Sequence, residues 1–291
     1  MKIRLPIPSR FSFDAIVRSH GWYDLSPFAY DEARGILSTT TVSARGTPAS
    51  LRFCLNNGAL EARSDALDRK TLASIAARVF SLDVDVEGFA RALDPRSPLA
   101  RAVARGGGRM LRAPGLFEDA VKMLLTTNCS WAATKGMVTR LISEAGVHGS
   151  FPAPRAVAAL SVGSLKERIR CGYRAPSLAR FARRVASGRL DLSRWESRDA
   201  STDEIRNAIL AEHGFGPYAA EGLLRILGRH DYLAVDSWIR KKFRSLHRGP
   251  ARATDGAIAR RYARYGRYKG LALWLEMTGD WHEPITPSLR S

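Results

Sequence analysis

The spacing of apolar residues changes along the chain and divides it into two parts. Residues 35–62 are rich in Thr, Val and Ser, alternate between apolar and polar positions, and end near Asn57–Gly58, a pair that favours tight turns. This segment predicts two to four short antiparallel strands. From Leu67 onward, apolar residues recur at the i, i+3, i+4 and i+7 positions that form one buried helix face.

Four stretches show the helical spacing most clearly. Their apolar faces are Leu72, Ile75, Ala76, Val79 and Phe80; Phe117, Val121, Leu124 and Leu125; Leu178, Phe181, Ala182 and Val185; and Ala220, Leu223, Leu224 and Leu227. Proline and glycine separate these stretches. The pattern predicts an α+β fold, mostly helical, with a small N-terminal antiparallel sheet followed by roughly eight to ten short helices.

Positive charge is concentrated towards the C-terminal end. The chain has 291 residues and a formal net charge of +18. Residues 1–100 contain 13 Lys and Arg against 11 Asp and Glu, whereas residues 236–269 contain 11 against 2 and hold half of the net charge. Such a segment is either a solvated surface or a binding surface for a polyanion, and its interleaved aromatic residues favour nucleic acid.

The composition disfavours several other classes of protein. Cys54, Cys129 and Cys171 lie far apart, which indicates a reducing compartment rather than a disulfide framework. No apolar run approaches the ~20 residues of a membrane span, and Pro6 and Pro8 interrupt the basic start, unlike a signal peptide. We expect an intracellular protein without a membrane partner, and no zinc because the histidines lack ligand spacing.

The segment Leu210–Leu227, LAEHGFGPYAAEGLLRIL, combines signals that end one helix and begin another. Gly214 allows the positive φ that ends a helix, Gly216 suits a tight turn, and Pro217 fits a first helical turn. The pattern predicts a helix–hairpin–helix with outward-pointing N–H groups at Gly214, Gly216 and Tyr218. Such a helix start binds anions, although a plain helix–turn–helix with a glycine cap has the same signals.

Asp236 lies 20 residues beyond Gly216, between the apolar run YLAV and the amphipathic SWIRKKF. Aspartate is a favoured helix N-cap, and that role alone explains the residue. A partly desolvated carboxylate beside a phosphate-binding hairpin also suits a second role. It can stabilise the cationic sugar that forms when a base leaves a nucleoside, and it can orient a water for attack.

Together, GFGPYAAEGLLRIL and YLAVDSWIRK resemble the signature of the helix–hairpin–helix DNA glycosylase superfamily, a G-x-G hairpin followed by an aspartate at this spacing. FEDAVKMLLTTNCSWAATKGMVTRL (117–141) looks like the helix pair that enters the damaged duplex in 8-oxoguanine and 3-methyladenine glycosylases. CGYRA (171–175) is similar to a stretch of the 8-oxoguanine branch. The resemblance covers most of the chain.

The resemblance also implies a domain organisation. An N-terminal domain with a small antiparallel sheet occupies residues 1–88, and a helical region occupies residues 89–291. The helical region consists of a central subdomain (about 113–228) and a second one formed by residues 89–112 and 229–291. We expect a monomer in a bacterial-like cytoplasm, associated with the nucleoid.

The resemblance implies a role for each matched residue. Asp236 is the catalytic carboxylate that hydrolyses the N-glycosidic bond of a damaged base extruded from double-stranded DNA. Asn128 fills the gap that the extruded nucleotide leaves. The amides that bind DNA phosphate are those of Gly214, Gly216 and Tyr218. The carbonyls that hold a structural K⁺ or Na⁺ are those of Leu210, Glu212 and Phe215.

The chain departs from the bifunctional members of the superfamily at one position. Those members place a lysine two residues after the second hairpin glycine, where its amine forms a Schiff base and cleaves the strand. This chain has Tyr218 there, and Lys241 and Lys242 do not match that position. We therefore expect monofunctional excision with water as the nucleophile. Residues 237–291 contain no cysteine, so the iron–sulfur cluster of other branches is not expected.

The substrate base stays open in the sequence. An aromatic residue at position 218 resembles the alkylpurine branch, whereas residues 128–141 and 171–175 resemble the oxidised-guanine branch. The expected lesion is an alkylated purine or another damaged base, with 8-oxoguanine and with uracil or hypoxanthine as alternatives. An enzyme of this class holds the extruded base by stacking and edge hydrogen bonds. Aromatic candidates for this pocket are Tyr218, Trp131, Trp238, Trp22 and Tyr23.

Two readings from other classes remain. Arg240, Lys241 and Lys242 would contact phosphates in any DNA-binding protein, because such contacts position the protein without reading sequence. A non-catalytic DNA-binding relative needs the charge and the hairpin but no carboxylate at Asp236. A helical RNA-binding protein accounts for the charge but for neither the hairpin nor Asp236.

Overall fold

The structure of the chain is a computed structural model that describes residues 1–43, 46–247 and 254–282. The N-terminal part contains a five-stranded antiparallel sheet of spatial order β1-β5-β4-β3-β2. The strands are β1 (Lys2–Pro6), β2 (Ala29–Asp31), β3 (Ile36–Val42), β4 (Pro48–Asn56) and β5 (Ala59–Ser64). The C-terminal segment PITPSLRS, the end of the predicted second subdomain, lies outside the described residues.

The tight turn predicted at Asn57–Gly58 joins β4 to β5. Both residues have positive φ, 46° and 68°, as a two-residue hairpin turn of type I′ requires. Three strands lie where the alternation predicted them. The prediction did not include β1 and β2, the two edge strands. β1 contains Pro6, which removes no ladder hydrogen bond at an edge.

The rest of the chain is helical, with more helices than the roughly eight to ten that the periodicity indicated. The α-helices of the described residues are α1 (Phe13–Val17), α2 (Arg69–Val79), α3 (Val86–Arg91), α4 (Pro98–Ala104), α5 (Leu116–Leu125), α6 (Trp131–Ala145), α7 (Pro154–Ala159), α8 (Val162–Glu167), α9 (Ala175–Ala186), α10 (Thr202–Leu210), α11 (Pro217–Ile226), α12 (Ser237–Leu246), α13 (Asp255–Tyr262) and α14 (Lys269–Met277). The four predicted amphipathic faces lie in α2, α5, α9 and α11. Helices such as α3 and α7 have only six residues, too few to show a period.

The buried apolar side chains form two clusters. The first joins the sheet and α2 to the helices from α5 to α11, and Phe53, Phe80 and Phe181 are among its fully buried members. The second joins α3 and α4 to α12, α13 and α14 around Phe89 and Tyr262. The chain thus crosses to the second cluster after α2, returns before α5, and crosses again after α11. The predicted domain boundaries themselves stay a prediction. Within the described ranges, no helix has the length and apolar content that a membrane crossing needs.

Candidate active site

The hairpin between α10 and α11 depends on one of its two glycines for its shape. Gly214 has φ +94°, and a Cβ there would lie 2.5 Å from both Cβ and Oγ of Ser177. Gly216 has φ −83° and open space around its Cα. The expectation that Gly216 is needed for the turn is therefore wrong, because any residue adopts this conformation. Gly214 alone is required by the fold.

The hairpin presents free backbone groups at the start of α11. Within the described part of the chain, the N–H groups of Gly214, Gly216 and Tyr218 donate no hydrogen bond, which leaves them available to an anion at a helix N-terminus. Of the three carbonyls predicted to hold a cation, that of Glu212 accepts the Phe215 N–H at 3.1 Å. The Glu212 carboxylate pairs with Arg184 at 3.0 Å and holds the hairpin to α9.

Asp236 begins α12 as its N-cap. Its Oδ1 accepts the N–H of Ile239 at 2.7 Å, and its backbone is extended, with φ −121° and ψ −174°. Among the described residues, no other donor reaches this half-buried carboxylate. Oδ1 therefore caps the start of α12, and Oδ2 is available to a ligand.

The segment that leads to Asp236 is held by the second hairpin helix. Ala234 has φ +50°, an unfavourable conformation for a residue with a Cβ. Its N–H donates to Glu221 Oε2 of α11 at 3.0 Å, and Glu221 in turn pairs with Arg206 of α10 at 2.8 Å. Both hairpin helices thereby fix the backbone two residues before the carboxylate.

A cleft of about 960 Å³ opens between the two apolar clusters and is lined by Asp236. The five predicted pocket aromatics line the same cleft: Tyr218, Trp131, Trp238, Trp22 and Tyr23. Burial raises the pKa of the Tyr218 phenol, and the nearby charge of Asp236 raises it further, to a smaller extent. The structure thus brings the hairpin, the carboxylate and these rings together around one space.

Two of the predicted pocket tryptophans, Trp22 and Trp131, differ in their environment. Trp22 is only 3% exposed, and its Nε1 donates to the buried Asp119 at 2.8 Å, so this ring belongs mainly to the core. Trp131 is 39% exposed. Its indole packs on Gly21, and its Nε1 donates to Asp24 at 2.9 Å, which joins the start of α6 to the N-terminal domain.

Two further aromatic residues of the cleft were not predicted from the sequence. Trp274 of α14 and Trp281 line it together with Trp238. The three ring centroids lie 5.5 to 6.0 Å apart. Trp238 and Trp281 are 37% and 39% exposed. Exposed indoles in contact form a stacking surface, and the unusual density of tryptophan after residue 236 was the available signal.

Arg225 is a further residue of the cleft that was not predicted from the sequence. It lies on α11 and is only 8% exposed. Its guanidinium carbon lies 4.3 Å from the Trp274 ring centroid, and its Nη2 donates to the Leu233 carbonyl at 3.1 Å. A charged residue inside the apolar stretch LLRIL could have indicated it, because arginine is almost never fully buried without a partner or a function.

The residue predicted to fill the gap in DNA lies on an exposed loop between α5 and α6. Asn128 has φ +46°, and its Nδ2 donates to the Tyr173 hydroxyl at 3.2 Å. The adjacent Arg174 donates to the carbonyl of Thr127. The two segments whose sequences resemble the 8-oxoguanine branch, 128–141 and 171–175, are therefore in contact at this loop.

The basic residues of α12 are not equivalent. Arg240 makes a two-pronged ion pair with Asp255, with Nε–Oδ1 2.7 Å and Nη2–Oδ2 2.9 Å. Lys241 is exposed and Lys242 is half-buried. A phosphate would have to compete with Asp255 for Arg240, but exposed ion pairs are weak enough to exchange. In the described ranges, no three His, Cys, Asp or Glu side chains converge to hold a metal ion.

Comparison with solved structures places this architecture among known folds. MBOgg1 in complex with a low-affinity DNA ligand matches with TM-score 0.74 at 22% identity, over 96% of this chain and 95% of that chain. The 3-methyladenine DNA glycosylase of Archaeoglobus fulgidus matches with TM-score 0.74 at 16% identity, over 96% and 98%. The apo 8-oxoguanine glycosylase/lyase of Clostridium acetobutylicum matches with TM-score 0.71 at 17% identity, over 95% of both chains.

These similarities confirm the fold that the sequence resemblance implied. The chain has an α+β glycosylase fold over nearly its whole length. No protein-family model and no curated protein matches the sequence. At these identities the shared property is the fold, and the chemistry has to be argued from the residues of the cleft.

Proposed function

We propose that the protein is a monofunctional DNA glycosylase of base-excision repair that acts on a base extruded from the duplex. The observation that supports this most is the position of Asp236. Its carboxylate lines a cleft large enough for a nucleoside and lies beside the hairpin whose free N–H groups suit a DNA phosphate. The solved structures with this fold include a 3-methyladenine DNA glycosylase and an 8-oxoguanine glycosylase/lyase.

Asp236 would act on the sugar rather than on the base. As the C1′–N bond breaks, its electron pair leaves with the base, and C1′ becomes cationic. The free carboxylate oxygen would stabilise this cation, and a water oxygen would then add to C1′ and lose its proton. The departing base takes up a proton, so that hydrolysis yields the free base and an abasic sugar.

The composition of the cleft supports hydrolysis without strand cleavage. No lysine is among the described residues that line it. Lys135 reaches only the rim, where its ammonium pairs with Asp24 at 2.7 Å. Tyr218, in the position of the Schiff-base lysine, has no amine and cannot form an imine.

Several groups around the cleft would hold the DNA. The amides of Gly214, Gly216 and Tyr218 would bind one phosphate, and the carbonyls of the hairpin would hold K⁺ or Na⁺, a hard cation suited to oxygen ligands. The exposed loop at Asn128 would enter the duplex. Lys241 and neighbouring cations of α12 would contact the backbone, so that affinity falls with rising salt.

Base release and hot-alkali cleavage test the proposal directly. Duplexes that each contain one 8-oxoguanine, alkylated purine, hypoxanthine or uracil are incubated with the protein and then treated with alkali. We expect at least one strand to break only after alkali. Asp236→Asn should lower the single-turnover rate roughly 100-fold or more, because asparagine keeps the N-cap but lacks the charge.

A matched variant controls for the loss of a capping charge. Asp68 caps α2 in the same way, accepting the Thr71 N–H at 2.9 Å. Asp68→Asn should leave excision unchanged. Asp236→Asn with wild-type turnover would refute the catalytic role, and strand cleavage before alkali, with a borohydride-trapped adduct, would refute the monofunctional assignment.

One observation favours a second candidate, a non-catalytic DNA-binding protein. The Asp236–Ile239 hydrogen bond already gives the carboxylate a structural purpose as a helix cap. Such a protein would bind duplexes through the hairpin and release no base from any of them. Duplex binding without excision across the whole panel would favour this candidate.

A further inference from the structure

The cleft that Asp236 lines also contains a buried cation, Arg225. Arg225 and Asp236 line the same cleft and interact electrostatically, as do Arg225 and Tyr218. The other charged residues that line the cleft are engaged in ion pairs, Asp14 and Glu32 with Arg18, and Asp24 with Lys135. A cationic base in this cleft would add a positive charge next to a buried guanidinium, at close range and in a medium that screens poorly.

The aromatic ring face that would bind a cationic base is already partly occupied by Arg225. The Arg225 guanidinium lies over the Trp274 ring at 4.3 Å from its centroid, an arrangement that uses the electron-rich face of the indole. Trp274 is itself fixed, since its Nε1 donates to the Ser19 carbonyl at 2.9 Å. The tryptophans of the cleft therefore offer less attraction to a cationic purine than their number indicates.

Arg225 is also short of hydrogen-bond acceptors. Nη2 donates to Leu233, but Nε is buried and has no partner among the described residues. No described residue accepts a bond from Nη1 either. A buried donor without an acceptor costs about 1–3 kcal/mol, and the guanidinium gains most from a ligand that brings a carbonyl oxygen.

His20, which also lines the cleft, supplies an acceptor. Its Nε2 lies 2.7 Å from the carbonyl oxygen of Leu111, which can only accept, so Nε2 carries the hydrogen. Burial, with smaller contributions from Arg225 and Lys122, lowers the pKa of His20 to about 4. The ring is neutral at pH 7, and its Nδ1 is an acceptor without a partner in the described part of the chain.

From this arrangement we propose that Arg225 makes the cleft selective for a neutral base with a lactam edge, a ring carbonyl next to an N–H, and selective against cationic N-alkylated purines. Arg225 donates to the carbonyl and His20 Nδ1 accepts from the N–H. Hypoxanthine, uracil and 8-oxoguanine have such an edge without a positive charge. This inference rests on the proposed glycosylase function and narrows its substrate.

Five damaged bases distinguish the effect of the charge of the base from the effect of its lactam edge. Single-turnover excision is measured on duplexes with hypoxanthine, uracil or 8-oxoguanine (neutral, lactam), 7-methylguanine (cationic, lactam) and 1,N6-ethenoadenine (neutral, no lactam). The wild-type protein should release its best neutral lactam base faster than 7-methylguanine and ethenoadenine, by roughly tenfold or more in each case. This comparison needs no variant and so does not depend on the folding of one.

Variants then assign the selectivity to Arg225. Arg225→Met removes the charge and keeps an unbranched side chain over Trp274, and it should lower the ratio of neutral to cationic excision roughly tenfold. Arg225→Lys should keep the discrimination against 7-methylguanine. Arg229→Met is the matched control, because Arg229 donates to the Ser197 carbonyl and does not line the cleft. It should leave the ratio unchanged.

The outcomes distinguish this inference from the proposed function. Equal wild-type excision of the best neutral lactam base and 7-methylguanine, or an unchanged ratio in folded Arg225→Met, overturns the selectivity but leaves the glycosylase assignment intact. A ratio lost equally in Arg225→Lys overturns charge as its cause. Release of no base from any of the five duplexes refutes the proposed function itself.

Discussion

Two buried polar sites, at Asp119 and at Arg225, differ in how completely their hydrogen bonds are satisfied. Asp119 is fully buried and accepts three bonds, from Trp22 Nε1 at 2.8 Å, Ala113 N–H at 2.9 Å and Arg78 Nη2 at 2.6 Å. Arg225 is nearly as buried, yet it has one protein acceptor and leaves Nε without a partner. The first site lies outside the cleft, and the second lines it.

This difference separates a structural role from a ligand-binding one. Asp119 joins α2, α5 and the N-terminal segment through neighbours that the protein itself provides, so the site is complete without a ligand. Buried groups that stay unsatisfied raise the energy of the folded state, and Arg225 is such a group at the place where a base would enter. We infer that Asp119 stabilises the fold, whereas Arg225 is retained at a cost to stability.

Asp119→Ala should have the largest effect on stability. The change leaves the N–H groups of Trp22, Ala113 and Arg78 Nη2 without their acceptor, while Arg78 keeps its ion pair with Glu196. At about 1–3 kcal/mol for each unsatisfied buried donor, the free energy of unfolding should fall by about 3–5 kcal/mol. Denaturant unfolding measures this loss. Arg225→Met should change stability by less than about 1 kcal/mol, since apolar replacement of a poorly satisfied buried charge is often neutral.

An exposed aspartate provides the control for Asp119. Asp191 accepts the Ser193 N–H at 3.0 Å near the protein surface, and Asp191→Ala should cost only about 0.5–2 kcal/mol. If Asp119→Ala cost no more than Asp191→Ala, or if Arg225→Met were the more destabilising change, the proposed division of roles between the two buried sites would be wrong.

The features that could be predicted from the sequence are those specified by residues close together along the chain. The hairpin and the cap at Asp236 are specified by neighbouring residues, so glycine, proline and aspartate signals within one segment were enough to locate them. The β4–β5 turn at Asn57–Gly58 is equally local. The five predicted aromatics do line the cleft, although which faces are open depends on tertiary contacts, such as the bond that ties Trp22 to Asp119.

The features that sequence analysis missed are set by contacts between distant segments. Trp274 reaches the cleft because α14 packs in the second cluster, and its partner Ser19 is 255 residues away. Arg225 is unusual only once its burial and its missing acceptors are known. Gly216 shows the opposite error, since a local pattern indicated a conformational need that the backbone does not have.

His230 is a second buried group near Arg225 without hydrogen-bond partners in the described ranges, and it makes the stability of the protein depend on pH. Both of its ring nitrogens are buried without a partner among the described residues. Burial, and to a lesser extent the charges of Arg225 and Arg112, lower its pKa to about 3. Below the ordinary pKa of about 6.5, the unfolded chain binds a proton that the folded protein does not, so stability falls between about pH 6.5 and pH 3.

His230→Leu should therefore flatten the acid side of the stability profile. The imidazole contributes a slope of up to about 1.4 kcal/mol per pH unit in this range, and unfolding curves at pH 7, 6 and 5 should show the variant losing less stability than the wild-type protein. His213→Gln is the control, because this ring lies at the surface beside Ser177. An identical pH dependence in His230→Leu would show that the ring is satisfied in solution.

The two hairpin glycines provide the finest test, because the same substitution should act on stability at one and on binding at the other. Gly214→Ala imposes a Cβ at positive φ and against Ser177, and should lower the free energy of unfolding by about 1–3 kcal/mol. Gly216→Ala has ordinary φ and open space, so stability should change by less than about 0.5 kcal/mol. Its methyl group would instead stand beside the N–H groups proposed to bind phosphate, and duplex affinity should fall severalfold.

Chemical denaturation and fluorescence anisotropy with an undamaged duplex measure the two effects. Full affinity in a stable Gly216→Ala protein would place the phosphate elsewhere, whereas loss of stability in that variant would mean that the hairpin needs both glycines for its shape.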